Sequence, residues 1–228
     1  MKNALLSVFV LSIVTLSCSK KDSTPAPVTP VDKYMTFTTN STWNFEKVSN
    51  PSSSPVTTDY SITSSTRDTT IGSKQYHVFT NNNGGVNEYF YNNSSDYYTY
   101  RKLPADFGAS AVEILYLKDN AAVGTEWTQT YPVTYSGVPF SVTLKNKIEQ
   151  RDLTETINGK EYKDVIRVST NITATGIPIA FTLTDEINYY YAPKYGLIKE
   201  DTKIDLTISG FPPTNFEDEI KLLSADLK

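Results

Sequence analysis

Ile166-Arg-Val-Ser-Thr-Asn-Ile-Thr-Ala174 carries a side chain suited to a protein interior at every second position, with polar residues between them. Successive side chains of a β-strand point to opposite faces, so this period of two predicts a strand with one buried face and one wet face. A helix would need a period near 3.6, which this stretch lacks. The segment therefore predicts a half-buried strand.

Three neighbouring stretches repeat this pattern, and they predict further long strands on either side of the first. Their apolar positions are Phe140, Val142, Leu144 and Ile148; Phe181, Leu183, Ile187, Tyr189 and Tyr191; and Ile198, Ile204, Leu206 and Ile208. Long antiparallel strands twist, so a sheet made of them must curl strongly or fold over its apolar face. We therefore expect a mainly all-β chain with little helix: one long, strongly curved antiparallel sheet that forms an unclosed barrel. A β-sandwich is the alternative.

Turn residues and local self-similarity divide this sheet into two related halves. Asn158-Gly159 predicts a type I′ hairpin turn that ends at Lys160. A pseudo-repeat relates residues 40–103 to residues 123–208, and it pairs Trp43 with Trp127 and Arg67-Asp68 with Arg151-Asp152. Residues 104–111 predict an irregular or helical connection between the halves. The last segment, from Asn215, fits a helix or a closing strand, and we favour the strand.

The N-terminus has the pattern of an export signal. Lys2 is followed by an apolar run from Ala4 to Leu16 that is too short for a membrane span and leads directly to Cys18, the only cysteine. This arrangement resembles a bacterial lipoprotein signal, in which cleavage leaves the cysteine as the lipidated first residue. We expect residues 1–17 to be the signal peptide, residues 18–33 a lipidated Pro/Ser/Thr-rich tether, and residues 34–228 a single β domain.

A second resemblance concerns the run Tyr189-Tyr-Tyr-Ala-Pro-Lys-Tyr-Gly196-Leu-Ile-Lys199. It resembles the Tyr-Ala-Pro-x-x-Gly-Leu-Val/Ile-Lys signature of a family of uncharacterised Gram-negative outer-membrane lipoproteins. That family is similar in outline to the periplasmic lipoprotein carrier and receptor superfamily. The resemblance implies a curved, unclosed antiparallel half-barrel around an apolar cavity, held at the outer membrane and facing the periplasm or the cell surface. It carries over no functional residue.

Composition and residue supply exclude several function classes. The net charge is −4 and the charges are interspersed, which argues against a nucleic-acid partner. His77 is the only histidine, and a zinc site needs three or four ligands, so we expect no metal and no cofactor. No Gly-x-Ser-x-Gly elbow surrounds a serine that could act with His77, so we expect no enzyme activity.

We therefore expect a non-catalytic lipoprotein whose partners are the membrane, through lipid on Cys18, and an apolar small molecule, a lipidated client or an envelope protein. The candidate binding residues on the concave face are Phe140, Ile172, Phe181, Asp185 and Ile204. Among them, Asp185 is the polar residue on an apolar face, so we expect it either to be paired or to contact a ligand. The alternative is a glycan-binding or envelope-assembly accessory protein that uses surface tyrosines, and a hydrolase ranks third.

Overall fold

A computed structural model describes residues 34–82, 86–102, 111–135, 137–177, 179–210 and 212–228. These residues form twelve strands and no helix, and so no helix in them could cross a membrane. The strands are β1 (Thr42–Ser49), β2 (Val56–Ile71), β3 (Lys74–Asn81), β4 (Glu88–Asn93), β5 (Asp96–Lys102), β6 (Ala111–Lys118), β7 (Glu126–Tyr135), β8 (Val138–Ile157), β9 (Lys160–Thr175), β10 (Phe181–Ala192), β11 (Gly196–Ile208) and β12 (Thr214–Asp226).

All twelve strands belong to one antiparallel sheet, in the order β6-β5-β4-β3-β2-β1-β12-β11-β10-β9-β8-β7. Each half of the chain is a six-stranded meander, and the halves join where the first and last strands pair. The sheet curls until its two edge strands, β6 and β7, approach each other, which gives a nearly closed barrel. The expected all-β, unclosed barrel is confirmed, and the C-terminal segment is the strand β12.

The edge strands meet through side chains instead of a backbone ladder. In β7, Trp127 Nε1 donates to the Leu115 carbonyl of β6 at 2.8 Å. The Gln129 amide accepts from Leu115 N–H at 2.8 Å and donates to the Glu113 carbonyl at 3.2 Å. Tyr131 Oη donates to the same carbonyl at 2.7 Å. Side chains of β7 thus form the hydrogen bonds to the β6 backbone that the backbone of a paired strand would otherwise form. We call this contact the seam.

The predicted turn and the residues that the pseudo-repeat pairs can be located on the strands. Asn158 and Gly159 have φ values of 50° and 76°, so both are left-handed and the predicted type I′ turn is confirmed. Trp43 is the second residue of β1, and Trp127 is the second residue of β7. Arg67-Asp68 and Arg151-Asp152 both lie where a long strand shifts register against its neighbour.

The inner face of the curled sheet holds most of the core, which begins at one end of the barrel. Trp43, Phe79 and Phe90 lie there in a chain of ring contacts, with Phe79 at 5.5 Å from Trp43 and 5.1 Å from Phe90. Leu222, Ile148 and other apolar residues of that face are fully buried beside them. Fully burying such a side chain stabilises the fold by about 1.5–3 kcal/mol.

The segment Tyr34–Thr39, which we call the N-terminal segment, crosses this end of the barrel. Tyr34 N–H donates to Tyr97 Oη at 3.1 Å, and Tyr34 Oη donates to the Asp164 carbonyl at 2.6 Å. Met35 pairs with Tyr195 in the β10–β11 turn and is 6% exposed. We call the end that this segment covers the closed end, and the opposite end, where the β11–β12 turn lies, the far end.

Two expectations fall on residues outside the described ranges. They are the signal peptide and tether (residues 1–33) and the connection between the halves, of which only Ala111, at the start of β6, is described.

Candidate functional site

The interior is spanned by side chains part of the way along the barrel. Tyr116 of β6 and Tyr191 of β10 are in ring contact, with centroids 5.4 Å apart. Three strands separate β6 from β10 through the seam, and so these rings meet across the interior. Phe90 and Tyr97 flank Tyr116 on its other sides, each with its ring centroid 6.2 Å away. The aromatic contact forms a floor that separates the closed-end core from the inner face beyond it.

Arg101 lies on the inner face, on the far-end side of this floor. The buried residues of β5 are Tyr97 and Thr99, and Arg101 continues their alternation on the same face. Glu200 and Tyr189, on β11 and β10, help to raise the pKa of Arg101, although five strands of the sheet order separate β5 from β11. Interactions between such distant strands of a curled sheet must cross its interior. The guanidinium therefore points inward.

Arg101 is nevertheless exposed to solvent. Burial acts to lower its pKa, but electrostatic interactions with Glu88 and Tyr189 outweigh this effect, and the pKa of Arg101 is raised overall. A side chain that points inward and is still exposed to solvent lines a solvent-accessible space inside the curled sheet. We call this space the inner chamber and define it by Arg101, Glu88, Glu200, Tyr60 and Tyr189.

Two carboxyl groups share the inner chamber with Arg101. Glu88 lies on the adjacent strand β4, and Glu200 lies on the opposite wall. Burial raises the pKa of Glu88, and Arg101 only partly offsets this effect. Burial also raises the pKa of Glu200, against a hydrogen bond from Thr202 and the charge of Arg101. Both groups can therefore hold a proton at a higher pH than a free glutamate.

The remaining walls of the inner chamber are aromatic. Tyr60 stacks on Phe45 at 5.2 Å, and Tyr189 stacks on Tyr191 at 6.2 Å. Burial raises the pKa of both Tyr60 and Tyr189, so their hydroxyls stay neutral. The chamber thus combines ring surfaces, one permanent cation and two carboxyls that can be neutralised. This combination suits a ligand with an apolar body and one polar end.

The apolar residues predicted from the sequence lie further toward the far end, on the same inner face. Phe140, Ile172, Phe181 and Ile204 are all half-buried, on β8, β9, β10 and β11. Their inner neighbours nearer the closed end, such as Ile148 and Val168, are fully buried. The burial of the inner face therefore decreases from the closed end to the far end.

Asp185 lies where β9 and β10 separate. The ladder between these strands ends at the pair Ile187 and Thr170. Beyond this pair, the Asp185 carboxylate accepts from Ile172 N–H and, at 2.7 Å, from the Asn171 side-chain amide. A groove of about 450 Å³ opens there toward the outer face. Asp185 is thus paired with protein groups and bridges the two strands.

Ser64, His77 and Asp68 come together at the distances of a catalytic triad. Ser64 Oγ lies 2.9 Å from His77 Nε2, and His77 Nδ1 lies 2.7 Å from Asp68 Oδ1. However, Ser64 is fully buried, its Oγ lies 3.1 Å from the Phe37 carbonyl, and the Phe37 ring stacks on His77. A substrate cannot reach Oγ while the N-terminal segment is in place. In this arrangement the three side chains anchor that segment to β2 and β3.

The tyrosines of β4 and β5 that point outward pack against one another. Tyr89 lies opposite Tyr100 and Tyr91 lies opposite Tyr98, with the fully buried Tyr76 between them. The rings of the two opposite pairs are inclined by 81° and 37°. The cluster does not present the coplanar rings on which a sugar could stack.

Sequence reasoning missed the charged residues of the inner chamber. Arg101 and Glu88 fall on inner positions of strands that are too short to show a clear alternation, whereas Glu200 lies on the apolar face predicted for β11, between Ile198 and Ile204. Arg101 follows Tyr97 and Thr99 at a spacing of two, which is the signal that could have found it. Among the described residues, no group of three or more His, Asp or Glu side chains is arranged to hold a metal ion.

Comparisons with known proteins identify one similar fold. No protein-family model and no curated protein matches the chain. A crystal structure of a putative lipoprotein from Parabacteroides distasonis superimposes with a TM-score of 0.51 and 12% identity, over 87% of this chain and 100% of that one. At this identity the match shows a shared fold. The Tyr-Ala-Pro signature and its family stay a prediction from the sequence.

Proposed function

We propose that this chain is a non-catalytic lipoprotein, anchored in the outer membrane through lipid on Cys18, that holds an apolar molecule inside its barrel. The inner chamber carries this proposal, because Arg101 is exposed to solvent on a face whose neighbouring positions are buried. A barrel of eight strands is just wide enough for side chains to fill, whereas this sheet has twelve strands. The Parabacteroides distasonis protein of similar fold, which is described as a putative lipoprotein, supports the anchor.

The ligand-binding part is tested by obstructing the inner face. Ile172→Trp places a large ring on the inner face of β9, and Thr173→Trp places the same ring on the exposed outer face. Native mass spectrometry of the detergent-extracted chain should show a bound apolar molecule in the wild type and in Thr173→Trp, and its loss in Ile172→Trp. An empty wild-type chain that also takes up no added long-chain lipid would overturn the binding function.

The anchor is tested separately by fractionation. Cys18→Ala removes the thiol that would carry the lipid, so the chain should move from the outer-membrane fraction to the soluble periplasmic fraction. If Cys18→Ala remains in the membrane fraction, the lipid anchor is wrong.

The triad distances favour one second candidate, an ester hydrolase with Ser64 as nucleophile. The burial of Ser64 under Phe37 opposes it. A fluorophosphonate reagent that labels accessible catalytic serines should leave the wild-type chain unlabelled. Labelling that disappears in Ser64→Ala would replace the non-catalytic function with a hydrolase.

A further inference from the structure

We propose that the inner chamber receives the anionic head group of an amphiphile, with Arg101 as its counter-ion and the chain directed toward the far end. The inference rests on the proposed function and names the class of ligand.

The pairing of Arg101 differs from that of Lys47, another cation on the inner face. Lys47 forms an ion pair with Asp218 at 2.7 Å. For Arg101, in contrast, no carboxylate of the described residues lies within 4.0 Å of the guanidinium. None of these residues forms a hydrogen bond with its side chain either. Glu88 and Glu200 influence Arg101 electrostatically but do not contact it, and so no side chain of the described residues occupies its donors.

A ligand that enters the inner chamber displaces water from the Arg101 guanidinium and from the carboxyl groups of Glu88 and Glu200. The guanidinium and the carboxyl groups differ in how they can compensate for the lost water. A guanidinium cannot lose its proton in a protein, so a desolvated Arg101 needs an anion or a strong acceptor. A carboxyl group can take up a proton and then donate a hydrogen bond. Glu88 and Glu200 can therefore adapt to a bound anion, whereas Arg101 cannot adapt to a neutral ligand. This asymmetry favours a carboxylate or a phosphate, each of which fits the two-pronged donor geometry of arginine.

The walls between the head-group position and the far end suit an apolar chain. The inner face of β11 runs from Glu200 through Ile204 to Leu206, and six residues of strand span about 20 Å. Ile172 and Phe181 line the same part of the inner face and are half-buried. On the closed-end side, the contact between Tyr116 and Tyr191 blocks the interior. The chain of the ligand therefore has one direction open to it.

The test compares three ligands that share one chain: oleate, oleyl phosphate and oleyl alcohol. Each is titrated into the full chain and measured by native mass spectrometry. Hydrogen bonds to a charged group contribute about 1.5–3 kcal/mol, so the wild type should bind each of the two anions about tenfold or more tightly than the alcohol. The carboxylate and phosphate arms show which anion the chamber prefers.

The variants are Arg101→Gln and, as a matched control, Lys102→Gln. Lys102 is the adjacent residue, carries the same charge, is exposed, and lies on the opposite face of β5. Arg101→Gln should bind all three ligands equally, and Lys102→Gln should keep the wild-type preference. An unchanged melting temperature confirms that both variants are folded.

The outcomes separate this inference from the function on which it rests. Equal binding of the anions and the alcohol by the wild type overturns the anionic head group and leaves the apolar ligand in place. An equal loss of preference in the two variants also overturns it, because net charge would then explain the effect. Failure of the wild type to bind any of the three ligands overturns the proposed function itself.

Discussion

Gly196→Ala tests whether the N-terminal segment is an integral part of the closed end. Gly196 begins β11 with a φ of 69°, and a Cβ there would lie 2.6 Å from Met35 Sδ and 3.4 Å from the Tyr34 carbonyl oxygen. The left-handed conformation costs an alanine about 1–2 kcal/mol. Displacing the buried Met35 adds about 1–3 kcal/mol, as overpacking in a core does. We expect the free energy of unfolding to fall by about 2–5 kcal/mol.

Gly210→Ala is the matched control. Gly210 has a φ of 85°, and nothing lies within 4 Å of the position of its Cβ. This variant should lose only the conformational part, about 1–2 kcal/mol. Urea unfolding followed by tyrosine and tryptophan fluorescence measures both variants. In a Met35→Ala background, Gly196→Ala should cost only the conformational part, about 1–2 kcal/mol. Gly210→Ala should cost the same as in the wild type, because contacting residues couple and distant ones do not.

Equal losses in the two glycine variants would refute the reasoning. They would mean that Met35 moves aside without cost, and thus that the N-terminal segment is not packed against the β10–β11 turn. The same conclusion would follow if Gly196→Ala cost as much in the Met35→Ala background as in the wild type.

Three further predictions concern the seam, the inner chamber and the buried serine. Gln129→Ala removes two of the hydrogen bonds that join the edge strands. We expect the free energy of unfolding in urea to fall by about 1–3 kcal/mol and hydrogen exchange at the Leu115 amide to become faster. Unchanged exchange would contradict the seam. Burial raises the pKa of Glu88, whereas hydrogen bonds from Lys147 and Ser169 lower the pKa of Glu149. The wild-type fold therefore loses stability as the pH rises through the pKa of Glu88 and as the pH falls through the pKa of Glu149. At about pH 7.5, Glu88→Gln should stabilise the fold and Glu149→Gln should destabilise it, and both effects should be smaller at about pH 4. Changes of the same sign in the two variants would show that these pKa directions are wrong. Ser64→Ala leaves His77 Nε2 and the Phe37 carbonyl without their hydrogen-bond partner, so the free energy of unfolding should fall by about 1–3 kcal/mol. A melting temperature equal to that of the wild type would show that Ser64 does not anchor the N-terminal segment.

The fold class was predictable because it depends on a local pattern. The alternation from Ile166 to Ala174 indicates which face of the strand is buried and which is exposed, and no other segment is needed to see it. The type I′ turn at Asn158-Gly159 was predictable for the same reason, since two adjacent residues supply both left-handed conformations. The apolar inner positions Phe140, Ile172, Phe181 and Ile204 followed directly from these strands.

The charged centre of the inner chamber depends on closure of the sheet. Arg101 and Glu200 are far apart in the chain and in the strand order, and only the curl of the sheet brings their faces together. The meeting of Ser64, His77 and Asp68 has a similar origin, because a register shift between Ser64 and Asp68 allows one histidine to reach both. Neither arrangement has a sequence spacing that identifies it.

The sequence by itself determined that the chain forms antiparallel strands with one apolar face, because consecutive residues of a strand point to opposite faces. It also set the turn at Asn158-Gly159. Only the tertiary structure decided that β6 and β7 meet through Trp127 and Gln129 and that Tyr116 reaches Tyr191 across the interior. It also decided that no carboxylate of the described residues pairs with Arg101. These features depend on the distance between opposite walls, and that distance is a property of the whole closed sheet.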